Sequence, residues 1–249
     1  MLKEERFNYI LDKLRQENKV TAKTLSNELK VSEDTIRRDL HELSTRDLLQ
    51  KVHGGAILKT TAVQGFDERL DFSAKNKVAL VNKSMHLISD GMMIMIDGGT
   101  TNYTFVQHLP PLISLEVVTN SLPIAELLSR KKNVRLNLLG GSYYPQAKVF
   151  AGHESVRQTT SLCPDICVMG ACSIHHQHGL TTPYLEENEV KKAMVSAAQR
   201  TMVLATNDKV DTAVRYRVCD LTKIDYLVLE DTLDSDIREQ YQSKGLTII

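Results

Sequence analysis

From residue 90 to the last residue, short apolar runs alternate with helical patterns, and this alternation constrains the fold more than any other feature. The runs are MMIMI (92–96), LEVVT (115–119), VRLNLLG (134–140), DICVMG (165–170), TMVLAT (201–206), DYLVLE (225–230) and LTII (246–249). Helical patterns follow several of them, at about 101–108, 121–130, 185–200 and 234–243. Strands alternating with helices predict an α/β domain with a largely parallel sheet. MMIMI is apolar throughout, as befits a strand covered on both faces, whereas VRLNL alternates and is expected nearer an edge.

In open parallel sheets, ligands sit beyond the carboxyl ends of the strands. Asp97-Gly98-Gly99-Thr100-Thr101 follows the first run, Thr119-Asn120-Ser121 the second, and Gly140-Gly141 the third. Glycines let backbone N–H groups approach an anion, and a following helix start adds a favourable dipole. Hydroxyl and amide side chains can bond phosphate oxygens or sugar hydroxyls. Lys191, in EENEVKKAM, could pair with a phosphate. Singly, each element has a plainer reading as turn glycine, helix cap or solvated lysine. Three such loops at successive strand ends point to a pocket for a small phosphorylated ligand.

The first sixty residues follow other rules. Phe7, Ile10, Leu11 and Leu14 make one helical stripe. Thr21 and Ser32 are candidate N-caps, each preceded by a valine and followed four residues later by Leu25 or Ile36. Glu33 and Asp34 sit where the dipole of the second helix favours anions, and Ile36, Leu40 and Leu43 form its inner face. Arg37 and Arg38 therefore face away from that stripe. Two short helices with arginines near the start of the second match a helix-turn-helix, whose second helix enters the major groove. One arginine is expected to read bases and the other to hold phosphate. Gly54-Gly55 reads as a two-residue hairpin forming a wing. Candidate DNA contacts are Ser32, Thr35, Arg37 and Arg38 on the helix, and Lys51 and His53 on the wing. Residues 1–59 carry 12 Lys and Arg against 10 Asp and Glu, a weak electrostatic footprint, and helical hairpins with solvated arginines are common.

The expected organisation is a winged helix-turn-helix at 1–58, a linker at 59–75 and an α/β effector-binding domain at 76–249. The linker leads into a helix from about Ser73 to Ser89 with Val78, Val81, Met85 and Ile88 on its apolar face. Lysine plus arginine and aspartate plus glutamate both number 31, which excludes a globally basic protein. The first residues lack the apolar core of a signal peptide, and no apolar run approaches a bilayer span, so a soluble, cytoplasmic protein is expected. Cys163, Cys167 and Cys172 lie near His175, His176 and His178, a set that could bind metal. No pair is spaced CxxC and Cys167 lies inside an apolar run, so buried thiols and no metal are expected.

VSEDTIRRDLHEL followed by HGGA resembles the N-terminal signature of the DeoR family of bacterial transcription regulators. The resemblance continues through DGGTT, VTNSLPIA, LLGG and EVKKAM, in the order found in the family's effector domain. It implies a fold similar to ribose-5-phosphate isomerase and a regulator that senses phosphorylated sugars. It also implies ligand roles for Asp97, Gly98, Gly99, Thr100, Thr101, Thr119, Asn120, Gly140, Gly141 and Lys191. Lys209 is kept, although where many family members have an acidic residue and then Ser-Lys-Phe-Gly the chain reads Thr206-Asn207-Asp208-Lys209-Val210-Asp211. FDER (66–69) matches a further family element, whose plain reading is a docking contact between linker and domain.

The competing reading is a sugar-phosphate isomerase or deaminase-like enzyme with an appended helical module. Its acid/base pair would come from Asp97, Glu187 or one of the three histidines, but no spacing requires it. The helix-turn-helix favours the sensor. The expected function is a repressor of a carbohydrate operon, neither catalytic nor cofactor-dependent. Its expected partners are double-stranded operator DNA, a phosphorylated sugar, and further copies of itself in a homodimer or homotetramer.

Overall fold

In the computed structural model, the described residues are 3–17, 19–46, 48–52, 54–57 and 65–249. They form two compact units, one within Met1–Thr61 and one within Ala62–Ile249.

The first unit contains α1 (Lys3–Glu17), β1 (Lys19–Thr21), α2 (Ala22–Leu29), α3 (Glu33–Thr45), β2 (Gln50–Val52) and β3 (Gly55–Ile57). Phe7, Ile10 and Leu14 of α1 meet Leu25 of α2 and Ile36, Leu40 and Leu43 of α3 in one core. Both expected caps form: Thr21 Oγ1 accepts the Thr24 N–H at 3.1 Å, and Ser32 Oγ accepts that of Thr35 at 3.2 Å. The three strands pair antiparallel in the order β1-β3-β2. The hairpin differs from expectation by one residue. Val52 pairs with Gly55, so Gly55 belongs to β3 and not to the turn. Gly54 supplies the turn's positive φ of 79°. Gly55 answers a different need, since a Cβ there would lie 2.0 Å from the carbonyl oxygen of Val20 on β1.

One polar contact inside this unit has no signature in the sequence. Asp39, on the inner side of α3, accepts two hydrogen bonds from the Arg6 guanidinium of α1, at 2.8 and 3.0 Å. The bidentate pair raises the arginine's pKa and fixes α1 against the recognition helix.

The second unit opens with α4 (Phe66–Leu70) and α5 (Ala74–Ser84), then β4 (Met93–Ile96), α6 (Thr100–Gln107), β5 (Leu115–Thr119), α7 (Leu122–Leu128) and β6 (Val134–Leu138). It continues with β7 (Ser142–Tyr144), β8 (Val149–Ala151), α8 (His153–Thr159), β9 (Ile166–Gly170), β10 (Ser173–His175), β11 (Gly179–Thr182) and α9 (Leu185–Ala197). Last come β12 (Thr201–Ala205), β13 (Tyr216–Cys219), β14 (Tyr226–Leu229), α10 (Ser235–Gln242) and β15 (Thr247–Ile248).

Seven strands, one from each expected run, form a parallel sheet in the order β15-β14-β12-β9-β4-β5-β6. The alternating β6 lies at an edge, as its pattern requires. Side chains along the central strands alternate between two cores. Ile94, Ile96, Val117, Val168 and Leu204 pack with residues of α5, α6 and α7, whereas Met95, Val118, Met169 and Val203 pack with residues of α9 and α10. The α5 face is rotated from expectation: Lys77, Leu80, Val81 and Ser84 are buried and Val78 only partly. The stripe of valines misses this because Lys77 has a polar task inside the unit.

The strand order reverses direction at β4. The chain steps from β4 to β5 and β6 on one side, then returns through β9 to the other. The carboxyl ends of β4 and β9 lie side by side at this reversal, the place where such sheets usually form a ligand crevice.

Candidate functional site

A buried ion pair lies at these strand ends. Asp97 follows β4 directly with 1% of its surface exposed, and Lys191 of α9 donates to its Oδ2. The carboxylate also takes backbone N–H groups from Gly98 and from Gly170, so it bridges the two strand ends. Burial pushes the Asp97 carboxyl up, against the pull of Lys191. Burial also opposes the charge on Lys191, but Asp97 and Glu187 outweigh it and hold the lysine protonated, above its ordinary value. Glu187 lies one turn earlier on α9, and burial raises its carboxyl too. The Asn102 amide donates to the carbonyls of Asp97 and Val168 at 2.8 and 3.1 Å, stapling β4 to β9 at the same point.

Gly98 and Gly99 lead into α6, whose N-terminus carries no side-chain cap at Gly99, φ 133°. Gly98 passes so close beneath Val149 that a Cβ would lie 2.2 Å from its Cγ1. Thr100 is buried and Thr101 partly so, both in the first turn of α6. The second loop is only partly free. The Thr119 hydroxyl donates to the Ile96 carbonyl at 2.7 Å, and the Asn120 amide donates to the Phe150 carbonyl at 3.0 Å. Asn120 Oδ1 and Ser121 Oγ remain buried without a hydrogen-bond partner. The third loop has a structural occupation. The Gly140 N–H goes to Gln158 at 2.9 Å, its carbonyl accepts from Ser155, and at Gly141, φ 140°, a Cβ would meet the Ala151 carbonyl oxygen at 2.5 Å. These glycines fasten the β7–β8 hairpin and α8 and offer no open row of N–H donors.

Lys209 follows β12 on a short 3-10 turn, Asn207–Lys209. Its Nζ is 3.1 Å from Asp208 Oδ2 in an ion pair that lacks hydrogen-bond alignment. Burial lowers its pKa. Four further groups here were not read from the sequence as ligand-site residues: Gly170 at the end of β9, Cys172 in the loop after it, Arg69 on α4 and Lys77 on α5. The strand order was the missing information for the first two. Arg69 lines a small cleft with Gln146, Cys172, Tyr184 and Glu187.

Cys167 and Cys219 are buried in the core, and burial pushes the Cys219 thiol up to about 12 and the Cys167 thiol up as well. His175 and His176 gather around Asp211 instead of around the cysteines, with His176 Nδ1 2.8 Å from the carboxylate.

On the first unit, Arg37, Arg38, His41 and Lys51 line one concave surface with Asp34, Glu42 and Thr45. Arg37 is held by Glu33 at 3.3 Å and Asp34 at 3.6 Å. Arg38 is exposed and makes no ion pair among the described residues. Ser32 and Thr35 bond one another at the cap, hydroxyl to hydroxyl at 2.9 Å. His53 lies outside the described residues. His41 was missed; it stands one turn beyond Arg38, on the same side of α3.

Known proteins agree with this division. Residues 6–62 match the DeoR-like helix-turn-helix domain, and residues 72–231 match the DeoR C terminal sensor domain. The chain therefore belongs to the DeoR family of transcription regulators and is not an enzyme. It is 32% identical to the HTH-type transcriptional repressor GlcR of Bacillus subtilis (strain 168), over 92% of this chain and 89% of that one. It is 27% identical to the L-fucose operon activator of Haemophilus influenzae, over 96% and 97%. Among solved structures, ribose 5 phosphate isomerase A from Neisseria gonorrhoeae shows a partial likeness, with TM-score 0.39 and 17% identity. That likeness covers 55% of this chain and 52% of the isomerase. No helix among the described residues is long and apolar enough to cross a membrane.

Proposed function

We propose that the chain represses a carbohydrate operon and that a phosphorylated sugar, bound at the crevice between β4 and β9, weakens its grip on the operator. The observation that carries the effector half is the crevice itself. At the reversal of strand order it combines an uncapped helix start at Gly99, two cations at Lys191 and Lys209, and unpartnered polar atoms on Asn120 and Ser121. Sugar phosphates present the matching groups, anionic oxygens and hydroxyls. In this reading Asp97 positions Lys191, Gly98 to Thr101 receive the phosphate, and Thr119, Gly140 and Gly141 shape the walls. Arg38 reads bases, Arg37 and Lys51 hold phosphates, and Ser32 and Thr35 set the start of the recognition helix. The protein works in the cytoplasm as a dimer or tetramer, with one operator half-site per subunit.

The test is thermal melting of the full chain against a panel of sugar phosphates. A ligand at 100 times its Kd adds about 2.7 kcal/mol of stability. The compound that stabilises is then added to the protein bound to duplex selected from a random library. Release of the duplex with the ligand unconverted supports the reading, and a panel that stabilises nothing refutes it. On the DNA side, Arg38→Ala is expected to lose about 1–3 kcal/mol of affinity, concentrated at one base position. Arg37→Ala is expected to lose less, since Glu33 and Asp34 already engage that side chain.

A further inference from the structure

A histidine-rich turn, HHQH, closes the hairpin of β10 and β11. His175 pairs with Gly179, so residues 176–178 make the turn. Neighbours along a strand point to opposite faces. Here the chain turns after His175, and the rings of His175 and His176 stack with centroids 4.3 Å apart. The His178 ring lies 4.8 Å from that of His175. Asp211 faces this pair from the loop after β12. Its Oδ1 lies 2.8 Å from His176 Nδ1 and 3.5 Å from His175 Nε2. Donor atoms of His175, His176 and Asp211 all fall within 4.8 Å of one another. The set contains no cysteine, and its carboxylate comes from 35 positions beyond His176. The CxxC spacing that spoke against a metal in the sequence has no bearing on it.

The backbone holds these groups in place. Asp211 is exposed, yet it takes the left-handed conformation, φ 56°, which aspartate tolerates better than most residues. Its N–H donates to the Tyr241 hydroxyl at 3.1 Å, and that hydroxyl, on a fully buried residue of α10, donates to the Ile174 carbonyl at 2.9 Å. The Thr212 N–H reaches the same carbonyl at 3.3 Å, and Val210 forms a parallel bridge with Ile174. Both sides of Asp211 are therefore tied to the residue just before His175. Gly179 lets the hairpin close on β13, since a Cβ there would lie 2.1 Å from the Cys219 carbonyl oxygen. Burial lowers the His175 pKa and keeps its imidazole neutral near pH 7, the form that ligates a metal. His175 and His176 are half-buried, so the donors remain open to solvent on one side.

We propose that His175, His176 and Asp211 bind one divalent transition-metal ion of the zinc type, with water in the remaining coordination positions. Two imidazoles and a carboxylate form a donor set that such borderline cations accept. Bonds of about 2.0–2.1 Å set tetrahedral donors about 3.4 Å apart, so the ion draws the turn toward Asp211 by about an ångström. In each ring the proton passes from the ligating nitrogen to the other one. For His175 this costs a contact, because its Nδ1 accepts the Gln177 N–H at 3.0 Å in the metal-free form. The ion replaces the bond between His176 and Asp211 by a cross-link between the β10–β11 hairpin and the loop after β12, and so stiffens both. None of these residues takes part in the effector reading, and the two stand or fall separately.

The experiment titrates Zn2+ alone into the full chain, made without a histidine tag and stripped with EDTA, by calorimetry, and follows amide hydrogen exchange in the same samples. Expected are one ion per chain and slower exchange over residues 173–182 and 207–215. Losing even a hydrogen-bond partner of a metal ligand costs about 10–100-fold in affinity, so His176→Ala and Asp211→Asn, which each remove a ligand, are expected to bind about 100-fold more weakly. Asparagine also tolerates the left-handed backbone, so Asp211→Asn keeps the frame. His86→Ala, at an exposed histidine elsewhere, is expected to bind as the wild type does. No binding by the wild type overturns the site, as does binding that leaves exchange unchanged in both segments. Equal zinc affinity in the wild type and His176→Ala overturns it as well. The exchange measurement on the wild type decides the matter even where a variant fails to fold.

Discussion

Replacing Lys191 by methionine tests whether Asp97 and Lys191 act as one unit. The substitution keeps most of the aliphatic stem and removes the charge. Asp97, 1% exposed, is then left with the N–H groups of Gly98 and Gly170 and no cation. Breaking a buried pair from one side costs about 3–5 kcal/mol, and the two remaining N–H contacts favour the lower figure, about 3 kcal/mol. In a unit of this size each kcal/mol moves Tm by roughly 2–4 °C, so the second unit is expected to melt about 6–12 °C lower. The loss has a characteristic pH dependence. Burial already raises the Asp97 carboxyl, and without Lys191 it rises further. A folded pKa above the unfolded one means the folded state binds the extra proton. The variant is thus closest to wild type below the unfolded carboxyl pKa and falls behind as pH climbs toward the folded value. Adding Asp97→Asn removes the stranded charge and is expected to recover most of the deficit. The assay is calorimetry of the full chain at several pH values for wild type, single and double variants. A Lys191→Met protein within 1 kcal/mol of wild type at neutral pH, or a double variant as unstable as the single, would refute the argument. Asp97→Ala has the mirror defect, a buried lysine without its carboxylate, so its effect on effector response is interpretable only beside these melts.

Gly55→Ala is expected to cost about 2 kcal/mol or more in the first unit, because the new methyl meets the Val20 carbonyl oxygen at 2.0 Å. Gly54→Ala, with open space but a φ of 79°, is expected to cost only about 1 kcal/mol of backbone strain; equal melts for the two variants would show that β1 does not pack as described. Burial and the neighbouring Arg69 lower Lys77 from 10.5 to about 8. The unfolded chain holds that proton to higher pH, so stability is expected to rise between pH 8 and 10 and to be lost as pH falls through 8. Lys77→Met should flatten that part of the profile in urea titrations, and an unchanged slope would show that Lys77 is not buried as a cation.

What was legible in the sequence follows from how many neighbours an element needs. The central sheet strands are buried on both faces and the edge strand β6 alternates, so their own residues announce them, and all seven runs found their places. The three-residue strands SYY and VFA pair with each other, and GLTT pairs with β10 and β13. At three or four residues each is too short to show a period. The helix HESVRQT offers Val156 as its single large apolar side chain, too little for a stripe. At the site, the glycine loops and Lys191 were each visible, but the contact between Asp97 and Lys191 spans 94 positions and depends on α9 crossing the sheet. The Gly-Gly after β6 shows a related limit: a glycine pair reads alike whether its N–H groups face a ligand or, as for Gly140 here, a side chain such as Gln158. Lys77 shows the limit of periodicity, since a buried lysine occupies a position that the rule assigns to an aliphatic residue.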